Sequence, residues 1–279
     1  MYAMYILMAI LMITIVILAH ELGHFWAAKR VKIEVREFSL GFGPKLWSSG
    51  GDKKPPDPVT GMVQTEYAWR LIPFGASVRM TGEEIDDEPG PHSYTAKSPW
   101  QKILVASAGP IMNLLLGALI FVLIYTFFGV AEPLNNPVIG TVGTETPAAA
   151  AGIKPGDRVL RVNGQPIKTW DQMVAIVRAT KTGETVHLVI ERNGQVKNIN
   201  VTPEWEPIEG VNLIGVAPQY KIVRVGVLEA NKQGFINTYV WTVRILKGLG
   251  LAVSGQVKAD DMGGPVLITK LMGDAASSG

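Results

Sequence analysis

The chain has 279 residues, 47% of them hydrophobic and 18% charged, with a net charge of +2 and no cysteine. The charged share lies below the roughly 25% of soluble domains, and no basic face of the kind nucleic acid requires stands out, so a nucleic-acid partner is not expected. The lack of cysteine excludes disulfides, thiol catalysis and thiolate metal sites.

The hydrophobicity is concentrated in two runs. The first, Tyr2 to Ala19, is 18 residues without a charge; as a helix it covers roughly 27 Å, close to a bilayer's hydrocarbon thickness. No basic stretch precedes it and no small-residue cleavage site follows, which argues against a signal peptide. The pattern instead continues through His20-Glu21-Leu22-Gly23-His24-Phe25-Trp26 to Lys29-Arg30. One membrane helix over residues 1–30 is expected, carrying ionisable groups in its last turns. Lys29, Arg30, Lys32 and Arg36 then place the following loop, 31–101, on the cytoplasmic side.

Within that loop Gly41-Phe42-Gly43-Pro44 marks a sharp turn with an apolar tip. Glu66 to Met80 reads as one or two short strands broken at Pro73 and Gly75. Gly82 to Ser93, with five acidic residues, reads as a solvated loop. The second run, Ile103 to Ala131, is 29 residues without a charged side chain, interrupted by Gly109-Pro110 and Asn113. It predicts a second membrane helix over 102–131.

The texture then becomes that of a small soluble domain, 135–220. A short helix over Ala148 to Ala151 stops at Gly152, and Arg158 to Val162 is a strand leading into the tight turn Asn163-Gly164. Trp170 to Ala179 is helical, with Met173, Val174 and Val177 on one face. His187 to Arg192 and Val196 to Val201 form a hairpin around Asn193-Gly194. Residues 221–279 read as amphipathic: Phe235 to Leu251 has apolar residues at helical spacing with Arg244 and Lys247 among them, so it lies on a membrane surface rather than crossing it.

His20-Glu21-x-x-His24 carries the chemistry. Histidines at i and i+4 project from one helix face toward one ion, and the intervening glutamate can take a proton from a metal-bound water. The expected cofactor is Zn2+, with His20 and His24 as ligands and Glu21 as general base. Ionisable groups in a membrane helix are costly and mark function. Two ligands do not complete a catalytic zinc site, and His92 and His187 read as surface residues. Asn113, the one strongly polar side chain of the second run, either polarises a substrate carbonyl or bonds a neighbouring helix.

HELGHFWAAKR, EFSLGFGPKLW, TEYAWRLIPFGASVRMTGE, Ala106 to Pro110 with Asn113, PAAAAGIKPGDRVLRVNG and MGGPVLITK occur in order along nearly the whole chain. In this series the chain resembles the site-2 protease family, in the bacterial branch typified by the regulator of sigma-E protease. The resemblance implies a bacterial inner-membrane, multi-pass zinc endopeptidase of regulated intramembrane proteolysis. Its partners would be membrane lipid and a single-pass membrane substrate that another protease has already trimmed. It also implies an extracytoplasmic PDZ-like domain, and an edge strand at Phe74, Gly75, Ala76, Ser77 and Val78 that pairs with substrate. The expected fold class is an α-helical membrane protein with an inserted α+β PDZ-like domain and a short membrane-associated β segment after the first helix.

Leu213-Ile214-Gly215-Val216 resembles the carboxylate loop of a circularly permuted PDZ domain, or is an ordinary buried strand. The family's third zinc ligand, an Asp in a Leu-Asp-Gly motif, has no match here; Asp260 and Asp261 lie in a polar stretch and are not nominated. The expectation is a chain cut short before the third core helix and inactive alone. The competing reading is a catalytically inactive, membrane-anchored PDZ adaptor, which leaves HELGH unexplained.

Overall fold

The computed structural model describes residues 2–58, 61–84 and 90–255. Asp260, Asp261 and MGGPVLITK lie outside these residues. The contacts separate into two units, one up to Ile120 and one from Phe121 onward.

In the first unit, α1 (Tyr2–Arg30) is a single helix. It leads into β1 (Val35–Ser49) and β2 (Glu66–Met80), followed by α2 (Pro99–Phe128). Both helices are long and apolar enough to cross a membrane. Leu7, Leu11, Ile13, Leu119 and Leu123 are all exposed, an apolar surface that a soluble domain does not leave to water.

The second helix departs from its sequence boundaries. It starts at Pro99 and stops at Phe128, since Gly129 adopts φ +87° and Val130 enters a strand. Gly109-Pro110 does not break it; Pro110 sits inside the helix, and its ring merely leaves the carbonyl four residues back without its usual N–H.

β1 and β2 form one antiparallel hairpin with several register shifts. Residues 37–40 of β1 pair on one side with Ala76–Arg79 and on the other with Glu66–Trp69. The hairpin therefore folds over on itself into four short passes, and Gly41, Gly43 and Gly75, all at positive φ, supply the bends. Glu66 to Met80 is thus one bent strand rather than two. The whole of β1 escapes a pattern reading, because its bulges break the two-residue alternation. Thr81, Gly82 and Ser93 are buried, so the ends of the acidic loop are packed rather than solvated. A small core of Ala28, Ile33, Val35, Met80 and Val105 ties the end of α1, both strands and the start of α2 together.

The second unit opens with β3 (Val130–Pro133), β4 (Ile139–Val142), α3 (Pro147–Ala150), β5 (Arg158–Val162), β6 (Gln165–Pro166) and α4 (Trp170–Ala179). It continues with β7 (Val186–Arg192), β8 (Gln195–Val201), β9 (Glu204–Glu206), β10 (Val211–Leu213), β11 (Val216–Pro218), β12 (Tyr220–Val223) and α5 (Val227–Val253). A four-stranded sheet, β6-β5-β7-β8, packs with α3 and α4 around Ile139, Val159, Met173, Leu188 and Ile190. Two-stranded pairings β11-β4, β12-β3 and β10-β9 complete it. The tight turns fall at Asn163-Gly164 and Asn193-Gly194, all four residues at positive φ. Thr169 caps α4 in a capping box with Gln172. The predicted short helix, strand, second helix and hairpin of this domain are all present, and α5 makes the amphipathic segment helical.

Asp157, fully buried, accepts from Arg192 Nε at 2.6 Å and Nη2 at 2.7 Å, and from the Lys154 N–H at 2.8 Å. Burial pushes its carboxyl up, but the Arg192 fork and the Lys154 amide outweigh burial and hold it below the usual carboxylate range. A depressed native pKa adds stability above the unfolded value of about 3.9, which is lost as pH falls through the native value. Trp170 fluorescence should therefore show this domain unaffected between pH 7 and 5 and unfolding below about pH 4. Asp157→Asn should flatten that acid limb and lower the neutral-pH melting temperature by about 5 °C or more. An unchanged acid limb in the variant would assign the effect to other carboxylates.

Candidate active site

His20, Glu21 and His24 occupy successive positions of α1 between an apolar stretch and the basic end at Lys29-Arg30. The i, i+4 spacing puts both imidazoles on one face, and that face meets α2. His20 Nε2 and His24 Nε2 are 3.0 Å apart. Two nitrogens held tetrahedrally about 2.0–2.1 Å from one zinc stand roughly 3.3 Å apart, so the pair fits a single ion. His24 Nδ1 donates to the Val105 carbonyl at 2.7 Å, which turns its Nε2 toward the His20 ring. Asn113 reaches across from α2, its Nδ2 3.3 Å from His20 Nδ1. Among the described residues no third His, Asp or Glu joins the two histidines in a metal-sized group.

Close approach of the helices makes this possible, and two glycines permit it. A Cβ on Gly23 would overlap the Ala108 carbonyl oxygen. A Cβ on Gly109 would stand 2.5 Å from His24 Nε2 and 2.6 Å from His20 Nε2. Gly109, which the sequence offers only as an interruption of an apolar run, is therefore the floor under both imidazoles.

Glu21 and His24 both line a cleft of about 470 Å³ between α1, α2 and the end of β2. Glu21 Oε2 accepts from the Val78 N–H at 3.1 Å. The next outward amide of that strand, Met80, donates to Glu83 at 3.3 Å. Residues 76–80 pair with β1 on one side only, and among the described residues no strand pairs with their other edge. Upstream, the Gly75 N–H meets Thr14 Oγ1 at 3.3 Å. The strand thus runs beside α1 from Thr14 to Glu21, bringing Ser77 and Val78 to the cleft, with Ala76 buried just before them. Phe74 and Gly75 sit further along, with the Gly75 backbone against the Phe42 ring.

His92 and His187 have partners elsewhere: His92 Nδ1 lies 3.3 Å from the Lys32 carbonyl, and His187 pairs with Asn200. In the second unit, Leu213, Ile214, Gly215 and Val216 border a shallow groove of about 70 Å³ beside Met173 and Val177 of α4. Gly215, at φ +80°, packs against the Thr146 side chain, and Ile214 accepts from the Ala148 N–H at 2.9 Å.

Gly109→Ala should force the imidazoles apart. Chelator competition on the purified chain is expected to show zinc or cobalt affinity lowered at least tenfold, a loss within the range of changes beside metal ligands. Unchanged affinity would mean that the helices shift to admit the methyl group.

The model of Peptidase family M50 matches residues 8–279. The zinc metalloprotease RasP of Geobacillus kaustophilus is 32% identical, over 93% of this chain and 77% of that protein. The regulator of sigma-W protease RasP of Bacillus subtilis is 28% identical, again over 93% of this chain and 77% of its own length. Among solved structures, the PDZ domain of the SdrC-like protein from Listeria monocytogenes is 18% identical and covers 31% of this chain and 90% of that one, with a TM-score of 0.27. With the family's pattern running through all but its first seven residues, the chain belongs to peptidase family M50, the site-2 proteases.

Proposed function

We propose that this chain is a zinc-dependent intramembrane endopeptidase, cutting single-pass membrane proteins that another protease has already shortened. The observation that carries this reading is the convergence of two imidazole nitrogens, 3.0 Å apart, beside the cleft that holds Glu21 and a strand edge that no other strand pairs with among the described residues. An adaptor without catalysis has no use for that arrangement.

His20 and His24 would hold the zinc ion, and among the described residues no third His, Asp or Glu completes the set. When bound, zinc supplies a water acidified to about pKa 7 and a Lewis acid for the scissile carbonyl. Glu21 takes the proton of the attacking water and returns it to the leaving amine. The Val78 N–H keeps the Glu21 carboxylate aimed into the cleft. The strand edge over Phe74, Gly75, Ala76, Ser77 and Val78 receives the substrate as an added strand, because a helical segment hides its carbonyls until it is unwound.

Membrane depth supports the same reading. Thr14, which meets Gly75, lies 16 residues before Arg30, or roughly 24 Å along the helix. The exposed Phe42, Trp47, Trp69, Leu71 and Ile72 of the hairpin face lipid. Polar backbone at that depth is tolerated where it lines a cavity, and the cleft provides one. The basic residues after α1 set the hairpin on the cytoplasmic side of a bacterial inner membrane. A single crossing by α2 then puts the PDZ-like domain on the extracytoplasmic side. There the groove at Leu213, Ile214, Gly215 and Val216 is suited to a chain end, and α5 to the membrane surface.

Glu21→Gln should retain zinc at about one per chain and lose roughly 10²–10⁴-fold in cleavage of a membrane-embedded model substrate. Val78→Pro removes one outward amide and leaves the pairing with β1. Cleavage should fall at least about tenfold with zinc content unchanged. Full cleavage by the proline variant would rule out substrate pairing at this edge.

A further inference from the structure

The two histidines differ in what holds the ring nitrogen that faces away from the metal position. His24 Nδ1 lies 2.7 Å from the Val105 carbonyl. A carbonyl only accepts, so His24 carries a proton on Nδ1, and in the neutral ring its Nε2 is then bare. The 3.0 Å contact between the two Nε2 atoms then requires His20 to be the donor. That tautomer leaves His20 Nδ1 bare, and there the Asn113 Nδ2 amine donates at 3.3 Å. The three contacts are mutually consistent. They describe a His20 whose proton sits on the nitrogen that would have to bind the ion.

The other half of the Asn113 amide is buried, and among the described residues its Oδ1 has no hydrogen-bond partner. A buried acceptor left unmade is costly, so it calls for an explanation. Ligation through Nε2 demands that His20 move its proton to Nδ1, and an N–H at Nδ1 cannot face an amine. The amide's two ends have nearly the same shape. Half a turn about its terminal torsion brings the unpartnered oxygen to the place the amine now holds. Oδ1 then accepts from Nδ1–H, as the Val105 carbonyl does for His24.

We propose that Asn113 is a positioning residue for His20, whose amide reverses when the site takes up its metal and so fixes the ligating tautomer. The proton leaves Nε2 and one arrives at Nδ1 by exchange with solvent, with no change in net charge. This rests on reading His20 as a ligand.

The test uses the full natural chain in detergent, with zinc affinity measured by chelator competition. Asn113→Leu, similar in size and without an amide, should bind zinc about 10–100-fold more weakly. Asn113→Asp, which only accepts, should bind within about threefold of the parent or more tightly. Metal-free melting temperatures of both variants separate this from a loss of packing. The second readout is ¹⁵N-histidine resonance spectra of the unsubstituted chain, which has four histidines. The His20 signal should pass from an Nε2–H to an Nδ1–H pattern on adding zinc. That measurement decides alone if the leucine variant does not fold. The proposal is overturned if the leucine variant binds zinc like the parent, if aspartate is no better than leucine, or if His20 is already Nδ1–H without metal. A parent chain that binds no zinc at all would overturn the ligand reading along with it.

Discussion

Everything at the site depends on how closely α1 and α2 approach. Two helices normally keep side chains between their backbones, and an imidazole pair cannot be held against a neighbouring backbone under that condition. Gly23 brings α1 against the Ala108 carbonyl, and Gly109 gives the rings a surface with no side chain on it. From that contact follow the Val105 bond to His24 and the Asn113 contact with His20. In a lipid environment packing of this kind supplies association that the hydrophobic effect does not.

The hairpin is the second half of the site, and it depends on α1 as well. Thr14 and Glu21 hold outward amides of the same strand, at Gly75 and Val78. One helix therefore carries the paired imidazoles, Glu21 and the anchor of the strand edge. The Glu37-Lys45-Glu66 and Glu37-Arg70 ion pairs lock the folded-over passes of the hairpin to one another. Lys45 and Arg70 hold the Glu37 carboxyl below its usual range against the opposing effect of its partial burial.

The sequence made the helices, the pairing of His20 and His24 on one helix face and most of the soluble domain legible, for identifiable reasons. Uncharged runs of membrane length, a fixed i, i+4 spacing and Asn-Gly turns are local signals that no distant contact can erase. What stayed hidden is non-local. The strand from Val35 to Ser49 folds over at two glycines and changes register repeatedly, so no two-residue alternation survives in it. The end of α2 at Phe128 carries no charge break, and only Gly129 in a left-handed conformation marks it. Gly109 reads as an interruption because its neighbours, the imidazoles, come from a helix more than 80 residues earlier. For Asn113 the residue type suggested a polar role, but the partner could be identified only in three dimensions.

X-ray absorption at the zinc edge tests the central claim most directly, on the full natural chain purified from membranes. The account predicts one zinc per chain with two imidazole nitrogens in its first shell, both lost when His20 and His24 are changed together to alanine. A chain without zinc, or an imidazole shell that survives the double substitution, would contradict it.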